Sequence, residues 1–268
     1  MIRSLQIYLI ISILLLAGCA AQFPQSVPDT QSDDRLSAAE IFADCLQAHG
    51  GQLGNEIDRV HLSVSGTWGN MIKRIQPLVT DFEYRIDSQE IYYLKEGKSR
   101  IQWSGPEGTK VIEWDYPKVK VFYNNAENND PDVLASSAMT SSTFELFHLG
   151  PSVLATRGGD PVRLSDEIIN GTNYHRLYFL FEPGFGLSQR DEVVAYINAE
   201  TKLLFRVWLT LEGFRTTKGA TVDVTYLDYK NTSGYLLPGK FDERVRAPVS
   251  IHAHTWWNTH MELVKSLE

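Results

Sequence analysis

Cysteine is scarce in this sequence: the 268 residues include only Cys19 and Cys45. Two cysteines can form at most one internal disulfide, which excludes the disulfide-stapled scaffolds of small secreted domains. Positive charge is also in deficit, because 25 lysine and arginine residues stand against 33 acidic residues and leave a net charge of −8. This balance argues against a nucleic-acid ligand and against polybasic attachment to anionic lipid.

Long apolar runs and catalytic motifs are missing as well. The apolar run 7–16 is too short for a spanning helix, which needs about 20 residues, and no later segment approaches that length. There is no phosphate-binding loop, no Gly-x-Ser-x-Gly elbow and no His-Glu-x-x-His motif. We therefore predict a protein that is not an enzyme and that needs no cofactor.

The short apolar run ends at Leu16-Ala17-Gly18-Cys19. A positive start at Arg3, an apolar stretch and small residues before a cysteine resemble the signal of bacterial lipoproteins. The resemblance implies that residues 1–18 are a signal peptide and that Cys19 becomes the acylated first residue. Two or more acyl chains anchor a protein stably, so we expect Cys19 to hold the mature chain at a membrane.

Residues 20–36 are rich in Gln, Pro, Ser, Asp and Thr and show no apolar period. We interpret 19–36 as the lipidated N-terminus and a flexible tether. The residue after Cys19 is Ala20, whereas an Asp there retains lipoproteins at the inner membrane of enteric-type bacteria. By that resemblance the expected location is the bacterial cell envelope, with the periplasmic face of the outer membrane preferred.

A first helix is predicted over 37–49. Ser37 and Glu40 have the spacing of a capping box, and Gly50-Gly51 supply the stop signal. Apolar residues recur at helical spacing between them: Ala38, Ile41, Phe42, Cys45 and Leu46. Because Cys45 lies on this apolar stripe, we expect its thiol to be buried.

Beyond the helix, apolar and polar residues alternate as they do in antiparallel strands with one solvated face. The strands predicted in this way are 60–65, 82–86, 90–94, 99–104, 109–115, 118–124, 162–169, 173–181, 190–198, 203–212, 221–226, 240–247 and 251–264. Segment 130–157 interrupts them, and Asp130-Pro131 favours a helix that begins at Pro131. Residues 198–201 should turn a hairpin. The pattern predicts an α+β, mainly β fold.

Three local features resemble the LolA/LolB-like lipoprotein carrier superfamily. They are His49-Gly50-Gly51 before the first strand, Trp114-Asp115-Tyr116-Pro117 after a strand, and the segment from Tyr226 to Pro238, where a strand ends, the chain turns and Leu-Pro opens the next strand. The resemblance implies a curved antiparallel sheet, or half-open β-barrel, of about eleven strands with a helical lid, formed by a single domain over 37–268. It also implies an apolar cavity for lipid chains.

The leading functional hypothesis is a membrane-anchored protein that binds or carries a hydrophobic ligand, such as a lipid or the acyl chain of a lipoprotein. An envelope protein is a further candidate partner. The inward-facing strand residues are the candidate ligand-binding set: Val60, Leu62, Val64, Phe82, Tyr84, Phe205 and Val207. The alternative is a structural or scaffolding lipoprotein with a filled core.

A third hypothesis is a metal-dependent hydrolase that uses His252 and His254. On a regular strand these two imidazoles point to the same face, as zinc ligands can. His260 and Glu262 share that face, but His260 lies about 20 Å further along an extended strand. We therefore predict no metal site and read these histidines as part of a polar strand face.

Overall fold

The computed structural model of the chain describes residues 22–24 and 36–265. Cys19, the predicted signal peptide and residues 25–35 of the predicted tether lie outside the described residues, so acylation and cleavage remain predictions. Within the described ranges, no helix combines the length and the apolar character that crossing a membrane requires.

Most of the described chain is antiparallel β-sheet. The strands are β1 (Ile57–Trp68), β2 (Asp87–Tyr93), β3 (Lys98–Gly105), β4 (Gly108–Asp115), β5 (Lys118–Tyr123), β6 (Ala126–Asn128), β7 (Val162–Ile169), β8 (Thr172–Phe181), β9 (Asp191–Asn198), β10 (Leu204–Thr210), β11 (Thr221–Leu227), β12 (Lys230–Thr232), β13 (Tyr235–Leu237), β14 (Lys240–Ala247) and β15 (Ile251–Lys265). Thirteen of them form one curved sheet that does not close, and β12 and β13 form a separate hairpin. The predicted mainly β fold is confirmed, with β6, β12 and β13 in addition to the predicted strands.

The order of the strands explains where the helices lie. The sheet runs β6-β5-β4-β3-β2-β1-β15-β14-β11-β10-β9-β8-β7, so the first and last strands of the chain pair at its centre. The two edge strands, β6 and β7, are consecutive along the chain and are joined through residues 131–157. The helices in that segment therefore pass from one edge of the open sheet to the other.

The helices are α1 (Ala38–Ala48), α2 (Asn70–Ile75), α3 (Pro77–Thr80), α4 (Pro131–Leu149) and α5 (Pro151–Arg157), with a short 3₁₀ turn at Leu53–Asn55. The predicted capping box of α1 is present, because the Ser37 hydroxyl accepts from Glu40 N–H and the Glu40 carboxylate accepts from Ser37 N–H. The Asp130 carboxylate likewise caps α4, which begins at Pro131 as expected.

Helix α4 is buried around most of its circumference from Ser136 onward. A helix with no solvated face belongs to the interior of a protein. Its aromatic residues Phe144 and Phe147 join one apolar cluster with α1 and the inner face of the sheet. Cys45 is part of this cluster, fully buried and free, so the expected burial of its thiol is confirmed.

The strand predicted over 82–86 is wrong. Helix α3 ends at Asp81 in a left-handed conformation (φ 43°), and the N–H groups of Tyr84 and Arg85 donate back to the Asp81 carbonyl. These local turn bonds replace the sheet ladder as far as Arg85; Ile86 then bonds to Gly66 and Ser104, and β2 begins at Asp87. Phe82 and Tyr84 are therefore turn residues and are not part of a strand.

One further correction concerns β10. The pairing with β9 shifts between Leu204 and Arg206, which leaves Phe205 as an extra residue in a β-bulge. A bulge reverses the alternation, so Leu204 and Val207 both face the main core while Phe205 faces the opposite side. There Phe205 stacks on Tyr174 with ring centroids 4.5 Å apart. The expectation that Phe205 and Val207 share a face is wrong.

Candidate functional site

A cavity of about 400 Å³ lies on the inner side of the sheet. It is bounded by α2, α3, α4, the segment 211–220 and the strands β14 and β15. Its apolar wall includes Ile72, Ile75, Val79, Met139, Phe144, Phe147, Leu211, Val222 and Val245. The volume falls within the range of roughly 300–1,000 Å³ that is typical of small-ligand sites.

The cavity has a buried end and an exposed end. Phe144 and His254 are each 2% exposed and lie at the buried end. At the other end Ile75 is 55% exposed, and Lys218 and Pro248 are also open to solvent. We call this exposed end the mouth. Helices α2 and α3 flank it and place Met71 and Leu78, which are both exposed, beside it.

Arg85 is the most unusual residue of the buried end. Its side chain is only 1% exposed, and burial lowers the pKa of its guanidinium to about 10 despite nearby carboxylates. One terminal nitrogen, Nη1, donates to the carbonyl of Val79 at 2.5 Å and more weakly to that of Thr80 at 3.5 Å. These are carbonyls at the C-terminal end of α3, so Arg85 fixes that short helix at the cavity.

Three aromatic rings surround the same guanidinium. Its central carbon lies 5.0 Å from the ring centroid of Trp68, 4.5 Å from that of Trp103 and 5.1 Å from that of Phe144. Cation–π attraction of this kind partly offsets the desolvation of a buried charge. The Trp68 indole also donates to the Arg85 carbonyl at 2.7 Å, which holds the backbone of the turn against β1.

The second polar group at the buried end is a pair formed by Glu243 of β14 and His254 of β15. The two residues are cross-strand neighbours, and the Glu243 carboxylate contacts His254 Nε2. Burial lowers the pKa of His254, although the Glu243 carboxylate opposes the shift. The Nδ1 atom of the same imidazole is buried and has no hydrogen-bond partner.

None of the seven predicted ligand-binding residues lines this cavity. Val60, Leu62, Val64 and Val207 lie in the apolar core on the same side of the sheet, each at most 2% exposed. Phe82 and Tyr84 are partly exposed in the turn before β2, beside Lys73 and Tyr123 respectively. Phe205 lies on the opposite face of the sheet.

Sequence reasoning missed most of the cavity wall for two reasons. Helices α2 and α3 have six and four residues, which is too short for a helical period to be visible. Arg85 occupies a polar position in a run that alternates like a strand, a pattern that predicts a solvated side chain. His254 was singled out only as a candidate metal ligand.

The histidines of β15 are not brought together on one face. A bulge at Ala253 separates His252, which is exposed, from His254, which is buried. The His252 imidazole contacts the Thr255 hydroxyl at 3.1 Å instead. Across the described part of the chain, no group of three or more His, Cys, Asp or Glu side chains is placed to hold a metal ion.

Comparison with solved structures identifies the fold. No protein-family profile matches the sequence, and no curated protein matches it either. A LolA superfamily protein from Nitrosomonas europaea is similar in structure with a TM-score of 0.50 at 12% identity, over 87% of this chain and 96% of that chain. The chain therefore has a LolA-like fold, as its sequence resemblance implied.

Two further structures are similar at lower scores. A DUF1329 family protein from Desulfovibrio piger has a TM-score of 0.45 at 11% identity, over 87% of this chain and 96% of that chain. A putative outer membrane lipoprotein-sorting protein domain from Vibrio parahaemolyticus has a TM-score of 0.41 at 10% identity, over 87% and 94% respectively.

Proposed function

We propose that this protein is a non-enzymatic lipoprotein of the bacterial cell envelope that binds a hydrophobic ligand in the cavity on the inner side of its sheet. The ligand class is a lipid or an acyl chain. The single observation that carries the proposal is an apolar cavity of about 400 Å³ that the side chains of the chain leave unfilled.

The energetics favour such a ligand. Removing apolar surface from water contributes about 25 cal/mol per Å², so an acyl chain gains free energy by moving from water into this wall of aliphatic and aromatic side chains. The apolar residues of the cavity wall include Ile75 at the mouth and Phe144 at the buried end, so an acyl chain would meet apolar side chains at both ends. Val60, Leu62, Val64 and Val207 support the wall from behind as part of the same core.

The predicted anchor is compatible with an accessible cavity. Phe23, in the described part of the tether, packs edge-on against Trp208 with ring centroids 5.5 Å apart. Trp208 belongs to a small apolar cluster on the outer face of the sheet. Phe23 is four positions after Cys19 in the sequence, and its contact with Trp208 places this described part of the tether on the outer face of the sheet, opposite the cavity.

The cavity also bears on the rival proposal of a scaffolding lipoprotein with a filled core. The scaffolding proposal gives no role to an apolar cavity of about 400 Å³ that opens to solvent at its mouth. A hydrolase based on His252 and His254 receives no support from the geometry, because the two side chains lie in different environments.

The test is to purify the protein from the cell envelope, extract it with organic solvent and identify the extracted molecules by mass spectrometry. Ala220→Trp, at the cavity wall, should abolish the co-purifying lipid. Thr225→Trp is the matched control, because Thr225 is a half-buried residue of neighbouring β11 outside the cavity. Wild-type protein without lipid, or equal lipid in both variants, would overturn the proposal.

A further inference from the structure

The guanidinium of Arg85 has unused hydrogen-bond donors at the buried end of the cavity. Only Nη1 has partners, the carbonyls of Val79 and Thr80. Nε and Nη2 are buried and have none, which leaves three of the five N–H donors of the side chain unsatisfied. Because an unpaired buried charge is strongly unfavourable, this arrangement indicates a site that is completed by something else.

No described residue supplies the missing counter-ion. Asp81, Glu90 and Glu243 are the carboxylates close enough to influence Arg85, yet none forms an ion pair with it. Each is held by another cation or imidazole: Asp81 by Lys110 at 2.7 Å, Glu90 by His148 at 3.2 Å, and Glu243 by His254. The carboxylates near Arg85 are thus already engaged.

The aromatic rings around Arg85 do not satisfy its N–H groups. The faces of the rings attract the positive charge but accept no conventional hydrogen bond from the N–H groups. A carboxylate or phosphate is the best partner for the planar guanidinium, because it accepts two parallel hydrogen bonds. Arg85 is one of the residues that line the cavity, whose wall is mostly apolar. A ligand that matched both the guanidinium and the apolar wall would carry an oxyanion at one end of an acyl chain.

We propose that Arg85 binds the oxyanion head group of an acyl-chain ligand, a carboxylate or a phosphate, at the buried end of the cavity. This inference rests on the proposed function and adds the ligand class. It implies that the ligand enters head first and that its chain runs from Arg85 toward the mouth at Ile75. A free fatty acid or a lysophosphatidic acid has a head group compact enough for this arrangement.

The first experiment measures affinities of the wild-type protein, stripped of endogenous lipid, for palmitate and for hexadecanol, which has a chain of the same length and a neutral head. Charge-assisted hydrogen bonds should make palmitate bind about tenfold to a hundredfold more tightly. Palmitoyl lysophosphatidic acid is the second oxyanion ligand to be measured. Tighter binding of either acid than of the alcohol supports the proposal. Equal affinity for all three would overturn it.

The second experiment assigns the preference to Arg85. Arg85→Met should weaken palmitate binding more than hexadecanol binding, so that the ratio of the two affinities falls to about one. Arg85→Lys keeps the charge without the fork and should show an intermediate preference. Arg100→Met is the matched control, because Arg100 is an exposed arginine of β3 outside the cavity, and it should change nothing. An unaltered preference in both Arg85 variants would refute the assignment.

The two proposals can fail separately. If no amphiphile binds, including hexadecanol, the proposed function itself is wrong. If hexadecanol binds the wild type as tightly as palmitate and palmitoyl lysophosphatidic acid do, the cavity still binds acyl chains and only the role of Arg85 is refuted. That comparison needs no variant, so it decides the question even if Arg85 substitutions unfold the protein.

Discussion

The Glu90 carboxylate of β2 and the His148 imidazole of α4 meet at 3.2 Å, and neither side chain is exposed to solvent. The hydroxyls of Tyr92 and Ser88 donate to the same carboxylate at 2.5 and 2.7 Å. This cluster joins the helix that links the two edges of the sheet to one of its central strands. It is a polar fastening inside an otherwise apolar core, so its loss should be costly.

Glu90→Gln should lower the free energy of unfolding at neutral pH by roughly 3–5 kcal/mol, the usual effect of breaking a buried pair from one side. Chemical denaturation of wild type and variant measures this. Glu113→Gln is the control, because Glu113 forms an exposed pair with Arg100 that should contribute less than about 1 kcal/mol. Similar losses of stability in both variants would show that the Glu90 cluster stabilises the protein no more than an exposed ion pair does.

The same pair predicts a pH dependence. Burial would raise the pKa of Glu90, but His148, Tyr92 and Ser88 hold it below its ordinary value of 4.5. An acid with a depressed pKa stabilises the folded state above its unfolded pKa and loses that contribution as pH falls through the folded pKa. The difference in stability between wild type and Glu90→Gln should thus be constant above about pH 5 and shrink in more acidic buffer. A difference that grows on acidification would contradict this.

Gly66 of β1 and Trp256 of β15 are directly paired, and the indole covers the glycine. A Cβ at Gly66 would lie 2.1 Å from a ring carbon of Trp256, which is fully buried against Trp68, Trp103 and Phe144. Gly66→Ala should therefore destabilise the protein by about 1–3 kcal/mol, although alanine normally favours a strand over glycine. Gly54→Ala, where no atom lies within 4 Å of the new Cβ, should be close to neutral in the same denaturation experiment.

The sequence predicts the strands and their buried faces best where the alternation of apolar and polar residues continues without interruption. The alternation of Val60, Leu62 and Val64 correctly predicts β1 and its buried face, because the extra residue in its pairing with β15 is Thr259 of β15 and leaves β1 itself regular there. At Phe205 and Ala253 a single extra residue reverses the faces of β10 and β15. A bulge leaves no periodic pattern in the sequence, because its position depends on how the strands pair.

The candidate site was harder to predict than the sheet. Its wall combines α2, α3 and the segment 211–220, which are short or irregular, with Arg85, whose burial runs against the usual exposure of arginine. His254 and Ala253 reach this wall through the pairing of β15 with β1, a contact between opposite ends of the chain. None of the seven residues proposed from the sequence lies in the wall of this cavity, and four of them belong to the core on the same side of the sheet.

Leu62 belongs to the core and Ile75 to the cavity, so substitutions at these two residues distinguish the two regions. Leu62 is 2% exposed and lies outside the cavity wall, so Leu62→Ala should cost about 2–5 kcal/mol of stability through the void it creates. Ile75 is 55% exposed at the mouth, so Ile75→Ala should change stability little and weaken hexadecanol binding severalfold. Measuring both properties for both variants gives four values. If Leu62→Ala weakened hexadecanol binding more than Ile75→Ala did, the ligand would bind at the strand residues predicted from the sequence and not in this cavity.

The two cysteines permit a direct test of the predicted anchor. Burial raises the pKa of the Cys45 thiol, so it should not react with a disulfide reagent while the protein is folded. In denaturant, protein purified from the envelope should expose one thiol per chain if Cys19 is acylated and two if it is not. Cys45→Ser is the control, because the same preparation should then expose none. One thiol in the wild type and none in the variant would establish that Cys19 is blocked, whereas a second reactive thiol in the wild type would refute acylation.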